Sequence, residues 1–461
     1  MPNRLIKFIF ILSYALFPAT APADNLPDLG SPGLAIYNNQ TEAELGRAFI
    51  HTLISQYELI YDAETLSYIR RIGHHLASHT HQGRHFRFYI INDPTINAFA
   101  GPNGVIGIHS GLILSAESED ELASVIAHEI AHITQQHLAR RFEQQDLYSV
   151  TSFASLLAAI LIGSQDPSAG MATLMGGAGL SLQQQLKFSR IHEHEADHLG
   201  IELLNKAGYN PHAMANFFGK LAKQYQHQNV RPPEILLTHP VSETRLAQAV
   251  NRASLMPTKP SLHDPLNLKL IQQRLRQHTQ TTNQVPFNQA TLDPKAQCYA
   301  KNLQAPDTCL NELIKTNPNN RLIKTLYAQQ LAQQNPKKGI EALHTLSELY
   351  PQDEAIVLRL AQAYINNNQS KQAIKLLSER TPTLLYQATL YQTLGQIYAQ
   401  QKQLAAAYLY EALAQLDLQQ TQRAAYLIKL SSESPPSNNT GIQKQIQRLN
   451  EQLNNFEKSK D

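Results

Sequence analysis

The spacing of apolar residues predicts different elements in different stretches of the chain. Between residues 118 and 137 apolar side chains occupy most helical positions, with Val125, Ile126, Ile130, Ala131 and Ile133 leaving a narrow polar strip. Such a run predicts a helix buried over most of its circumference. Ser118 followed by Glu121 fits a capping box, and Glu119 and Asp120 suit the positive end of the helix dipole. Upstream, "FRFYII" (86–91) and "GVIGIH" (104–109) are short β-branched and aromatic runs separated by Asn, Pro and Gly, a strand-turn-strand pattern. Further helices are expected over 188–200 and 263–278.

The C-terminal part repeats itself. "LGQIYAQQKQLAAAYLYEAL" sets Leu394, Gly395, Tyr398 and Ala407 at tetratricopeptide spacing, and Leu360, Ala361, Tyr364 and Ala373 repeat it one period earlier. The two tyrosines are 34 positions apart, and Pro318 and Pro351 are 33 apart, which extends the array towards the N-terminus. Stacked helix pairs bury one face on each other and leave a groove, so the repeats are expected to bind a partner.

Other segments read as processing signals and connections. "MPNRLIKFIFILSYALFPATAPADN" has a basic start, an apolar run from Phe8 to Phe17 and "APA" at 21–23, a secretory signal cut after Ala23. "VTSFASLLAAILIG" and "AGMATLMGGAGLSL" are strongly apolar, but neither reaches the roughly 20 residues of a membrane span. They are expected to form a lid or substrate-contact element against the cleft or a membrane surface, with peripheral membrane contact through 150–180, or else a buried helical hairpin. Removing the leader's Arg4 and Lys7 leaves 37 basic against 37 acidic residues, a poor balance for nucleic-acid binding. The only cysteines, Cys298 and Cys309, are expected to pair in an oxidising compartment.

The chemistry is concentrated in "HEIAH". Residues four apart on a helix stand about one turn above each other, so His128 and His132 can present two imidazoles to one metal ion. Glu129 then stands beside them as a base for water. The other reading of this spacing is two satisfied core histidines, and a third donor would decide. The extended form H-E-x-x-H-x-x-G-x-x-H fails at Gln135 and Leu138, and His137 is expected on the surface. "FSRIHEHEADHLG" (188–200) is a better source, with Glu193 and Asp197 one turn apart: the glutamate can bind metal while the aspartate orients a ligand imidazole. Glu195, His192, His194 and His198 compete for that place and rank lower, the histidines being expected on a solvated face. Alone, Glu193 would read as a surface ion pair with Arg190.

"HEIAH" and "SRIHEHEAD" together resemble the zinc metallopeptidase family that includes the heat-shock membrane protease HtpX and the CAAX prenyl proteases. Its pattern is H-E-x-x-H followed, after a long insert, by E-x-x-x-D. The resemblance implies a gluzincin-type fold with one Zn2+ per chain, His128, His132 and Glu193 as ligands, Glu129 as catalytic base and Asp197 as the orienting carboxylate. "NAFAGPNGVIGIHSGLI" (97–113) is similar to the family's strand and turn before the zinc helix, and an edge strand there can hold an extended peptide. "LTHPVSETRL" (237–246) resembles its H-P-x-x-x-x-R segment. His239 is expected at a helix start, either stabilising the oxyanion or binding zinc as a fourth, inhibitory ligand. Arg245 is expected to pair with a site carboxylate or to brace the loop.

The expected chain is α+β and mostly helical: a signal peptide over 1–23, a zinc metallopeptidase domain with a small β-sheet over 24–277, a linker over 278–293 and an all-α tetratricopeptide-repeat domain over 294–461. The resemblance implies a periplasmic endopeptidase acting on stalled or misassembled outer-membrane proteins, with a chaperone role in β-barrel assembly and repeats that meet the assembly machinery. Two alternatives stand beside it. One is a catalytically silent repeat scaffold with a structural metal site, which would not require Glu129. The other is a secreted broad-specificity protease, which would not require the repeats.

Overall fold

The computed structural model describes residues 38–80, 84–144, 190–226, 234–257, 264–279 and 308–458. The expected signal peptide, the apolar insert at 150–180, the linker from residue 280 onward and Cys298, with its expected pairing, lie outside the described residues. Among those described, no helix is long and apolar enough to cross a membrane.

Two capped helices come first. Asn38 accepts a hydrogen bond from the Thr41 N–H to start α1 (Asn39–Gln56), and Asp62 accepts one from Thr65 to start α2 (Ala63–Ala77). β1 (Arg87–Ile91), β2 (Ala98–Ala100) and β3 (Val105–His109) follow and form a sheet in the order β1-β3-β2. β3 runs parallel to β1, with Arg87 opposite Val105, and antiparallel to β2, with Ala98 opposite Ile108. The two runs legible in the sequence are therefore neighbours but not a hairpin, since parallel strands need a crossover. That crossover contains β2, too short to carry a recognisable alternation. β3 is buried at every position, which explains its uninterrupted apolar run.

α3 (Ser110–Ser115) leads into α4 (Glu119–Thr134). Ser118 Oγ accepts from the Glu121 N–H at 3.2 Å, while the Glu121 carboxylate accepts from the N–H of Glu117 at 2.9 Å, one residue before the expected box partner. Leu122, Val125, Ile126 and Ile130 of α4 are fully buried in a core shared with Ile106, Ile108 and Leu112. α4 ends at Thr134, Gln136 adopts φ 53°, and α5 (His137–Gln144) begins a new helical phase.

α6 (Arg190–Lys206) packs along α4. Gly200 permits this approach, because a Cβ there would lie 3.3 Å from the backbone nitrogen of His128. α7 (Ala213–Gln226), α8 (Glu234–Thr238), α9 (Glu243–Ser254) and α10 (Pro265–Thr279) complete this half. Gln272 of α10 donates to the Ala116 carbonyl at 2.7 Å, tying α10 to the entrance of α4.

The repeats comprise α11 (Thr308–Thr316), α12 (Arg321–Gln334), α13 (Pro336–Leu349), α14 (Glu354–Asn366), α15 (Ser370–Arg380), α16 (Ala388–Gln400), α17 (Leu404–Asp417), α18 (Thr421–Glu433) and α19 (Thr440–Lys458). Consecutive helices pack on one another. The signature residues fill the contacts: Leu360, Ala361, Ala373 and Leu394 are fully buried, and Tyr398 stacks on Tyr410 at 5.4 Å. At Gly395 a Cβ would lie 3.2 Å from the Ala407 carbonyl, which accounts for the small residue.

α2 forms the seam between the halves. Its Glu64, only 2 % exposed, accepts from Arg359 of α14 and pairs with Arg274 of α10 at 2.8 Å, while Arg274 also donates to Asp62 at 2.6 Å. Ser67 donates to Asp353 at 2.9 Å, and Arg70 pairs with Glu354 at 2.6 Å while lying 3.5 Å over the Tyr386 ring. His74 Nε2 is 3.0 Å from the Tyr386 hydroxyl.

Candidate metal centre

Two helices and one turn converge on a buried cluster. α4 supplies His128 and His132, α6 supplies Glu193, and His239 comes from the turn after α8; their donor atoms all lie within 4.8 Å of one another. His128 Nε2 is 3.0 Å from His132 Nε2, 3.4 Å from His239 Nδ1 and 3.5 Å from Glu193 Oε2. His132 Nε2 is 3.6 Å from Glu193 Oε1, and His239 Nδ1 is 3.1 Å from the same oxygen. Donors bonded at about 2.0–2.1 Å to a tetrahedral ion are separated by about 3.3 Å, which these distances bracket. His239 closes α8, its N–H bonding to the Ile235 carbonyl at 2.9 Å, and the next helix begins only at Glu243. The expected helix start is corrected: Pro240, with no N–H of its own, follows the end of one helix and precedes the cap of the next.

Behind the donors lies an ion-paired layer. His128 Nδ1 is 3.1 Å from Asp197 Oδ1, which places the carboxylate on the side of the ring opposite the cluster. Arg245 of α9 grips both Asp197 oxygens, Nε to Oδ2 at 2.7 Å and a terminal nitrogen to Oδ1 at 2.8 Å. Its other terminal nitrogen reaches Glu193 at 2.9 Å and the Pro240 carbonyl at 2.8 Å. Arg245 thus pairs with the site carboxylates and also braces the His239 turn.

Glu129 is 1 % exposed, and among the described residues neither of its carboxylate oxygens has a hydrogen-bond partner. His239 Nε2 faces it at 3.6 Å, and the backbone of Ala100 in β2 lies near it. Burial pushes its pKa up, offset only in part by the His239 and His128 rings. Burial also opposes charge on His128, yet Asp197 and Glu193 push that imidazole up to about 10. Glu193 behaves oppositely: burial would raise it, but His239 and His128 hold it well below the usual carboxylate range. Burial and the neighbouring His128 push His132 well down. Glu193 and Asp197 both pair with one guanidinium, that of Arg245, at 2.9 and 2.7 Å, so these two carboxylates carry one negative charge more than the arginine between them offsets. With the converging ring nitrogens, this donor set fits a metal ion.

His137 contradicts the sequence reading. It is 0 % exposed, its Nδ1 lies 2.8 Å from His132 Nδ1 and its Nε2 lies 3.0 Å from Glu195 Oε2. The expectation of a surface position assumed that α4 continues; the left-handed Gln136 ends it and turns His137 back towards His132. Burial holds the His137 imidazole down, to about 4, against the pull of Glu195. His192 was likewise expected on a solvated face but is buried, with its ring stacked 4.4 Å from that of His137. His198 is exposed, as expected, and His194 half-buried. Glu195 stands outside the donor cluster and pairs with Arg140 at 2.9 Å. A non-glycine left-handed residue leaves no mark in the sequence, so no local signal announced this group.

A family model described as peptidase family M48 matches residues 63–253, and a tetratricopeptide-repeat model matches residues 330–383. The beta-barrel assembly-enhancing protease of Yersinia pestis is 32 % identical over 466 aligned residues, spanning 95 % of this chain and 94 % of that protein. The chain belongs to peptidase family M48. The Escherichia coli (strain K12) protein of the same name is 33 % identical over 380 residues, 78 % of this chain and 77 % of its own. Mitochondrial metalloendopeptidase OMA1 of Schizosaccharomyces pombe is 30 % identical over 161 residues, 35 % of this chain and 44 % of its own. The M48 match takes in the whole cluster from His128 to Arg245. The chain is an α+β metallopeptidase followed by helical repeats, as the sequence reading expects.

Proposed function

We propose that this M48 peptidase is a zinc-dependent endopeptidase of the Gram-negative periplasm, exported by a signal peptide cut after Ala23. Its substrates are stalled or misassembled outer-membrane β-barrel proteins, and it chaperones those still assembling. One observation carries catalysis: Glu129, a buried carboxylate with no hydrogen-bond partner among the described residues, next to the donor cluster. A structural metal site has no use for such a group, which disfavours the silent scaffold. The link to barrel assembly is supported by the Yersinia and Escherichia relatives, and the repeats docked on α2 suit a fixed partner better than indiscriminate digestion.

On this reading His128, His132 and Glu193 hold one Zn2+ per chain. When bound, zinc supplies a Lewis acid that makes water acidic and polarises the scissile carbonyl. Glu129 takes the proton of the attacking water and delivers it to the amine nitrogen as the C–N bond breaks, while the water oxygen joins the new carboxylate. Asp197, gripped by Arg245, keeps the His128 ring turned with Nε2 towards the cluster. β2 lies at the edge of the sheet, so an extended substrate can pair with it beside Glu129. We read His239 as the fourth, inhibitory ligand, supported by the place of its Nδ1 inside the donor cluster; displacing it opens the site. The repeats bind the assembly machinery or its clients.

The test is Glu129→Gln. Purified protein should keep its zinc and lose about two to four powers of ten in turnover on unfolded barrel proteins. Wild-type turnover in that variant removes the assignment. The same variant, crosslinked in the periplasm, should retain outer-membrane proteins; failure to capture any would remove the barrel-assembly role while leaving the peptidase intact.

A further inference from the structure

The two histidines of α4 are supported differently. His128 Nδ1 faces a carboxylate directly, that of Asp197, which Arg245 grips with two nitrogens. His132 Nδ1 faces another imidazole, His137. Beyond His137 stands Glu195, and beyond Glu195 stands Arg140, again with two nitrogens on one carboxylate, at 2.9 and 3.2 Å. Each support therefore ends in an arginine–carboxylate fork, and the second has one ring inserted.

The protons along this second chain follow from the acceptor geometry. If His132 turns Nε2 towards the metal, its Nδ1 carries the hydrogen and donates. His137 Nδ1 must then accept, so His137 Nε2 carries the hydrogen and donates to Glu195 Oε2. Every link has one hydrogen and one lone pair, with no clash of like groups. The ring plane of His137 is fixed as well, stacked on His192 at 16°. His192 and Glu195 are three apart on α6 and share a face, while Glu193 and Asp197 share another. One face of α6 thus serves the donors, and the other serves α5.

We propose that His137 is a positioning residue for the metal: with Glu195 and Arg140 it orients His132 and raises its strength as a donor, the counterpart for this ligand of Asp197 for His128. This rests on the reading of His132 as a metal ligand. Partners of this kind behind a ligand histidine are commonly worth about ten- to a hundred-fold in metal affinity.

The experiment measures zinc affinity of the purified mature chain by competition with a chelator, together with the melting temperature of the metal-free protein. His137→Phe keeps a ring against His192 but cannot accept from His132, and it should weaken zinc binding about ten- to a hundred-fold. His137→Gln offers a carbonyl to His132 and an amide to Glu195, and it should recover most of that loss. Glu195→Ala, at a partly exposed position that the fold should tolerate, should weaken zinc binding in the same direction even if His137→Phe does not fold. Wild-type affinity in both His137→Phe and Glu195→Ala overturns the proposal. So does a His137→Gln affinity as low as that of His137→Phe, or losses that merely follow the melting temperature. His132→Ala separates the two levels: should it keep wild-type zinc affinity, the ligand reading fails, not merely its support.

Discussion

Glu64 offers the sharpest test of how the repeats are held. It is almost wholly buried on α2, and it faces Arg359 from the repeats and Arg274 from α10. Glu64→Ala leaves Arg274 its Asp62 partner but strips Arg359, whose side chain is only 17 % exposed, of its hydrogen-bonded carboxylate. Removing one partner of a buried ion pair costs about 3–5 kcal/mol. At about 1.4 kcal/mol per factor of ten, that is two to nearly four powers of ten in the docking equilibrium. The loss should be local. The core around α4 and the cores of the later repeats are separate clusters, and an apolar cluster of Leu266, Leu270, Leu310, Leu313 and Ile323 still joins α10 to the first repeat helices. Amide hydrogen exchange should therefore accelerate in α2 and α14 and stay unchanged in α4. The double variant Glu64→Gln, Arg359→Met should recover most of the protection, because neither charge is then left alone. Parallel acceleration in α4, or no acceleration anywhere, would refute this account of the seam.

Two further outcomes are expected. Burial, and then Arg70, hold His74 down to about 4, while a released His74 titrates near 6.5, so the undocked form gains a proton that the docked form refuses. Docking should be intact at neutral pH and weaken as pH falls from about 6.5 towards 4, visible as faster exchange in α2; a His74→Phe protein should lose that acid sensitivity, and equal sensitivity would discount the assignment. His239→Ala should raise basal hydrolysis of unfolded substrates if the residue blocks the fourth position; a variant that binds zinc but is about a hundred- to a thousand-fold slower would assign it to the oxyanion instead.

What could be read in the sequence was what repeats locally. The buried periodicity of α4, the i, i+4 pairing in "HEIAH" and the 34-residue interval between tyrosines are all written within one or two helices, and the structure keeps each of them. The carboxylates on α6 were legible for the same reason. What escaped depended on contacts between distant segments or on an unmarked backbone turn. Glu64 and Arg359 are 295 positions apart, and neither has a neighbour that predicts the other. β2 is too short to show alternation, and it turned an expected strand-turn-strand into a parallel pair. His137 was misplaced because a helix was extrapolated through Gln136, where a glutamine adopts a conformation that usually calls for glycine.

The division of the donors between α4 and α6 has a mechanical consequence. His132 and Glu193 are 61 positions apart in the chain, so an ion held by both closes that stretch into a ring, as a disulfide would. A ring of that size removes unfolded-chain entropy worth about 4 kcal/mol. On the ligand reading proposed above, the metal would be a fastener as well as a reagent, pinning α4 to α6. On that reading, withdrawing it from a working enzyme would loosen the chain as well as silence it, and metal supply would set how long the protein lasts as well as how fast it cuts.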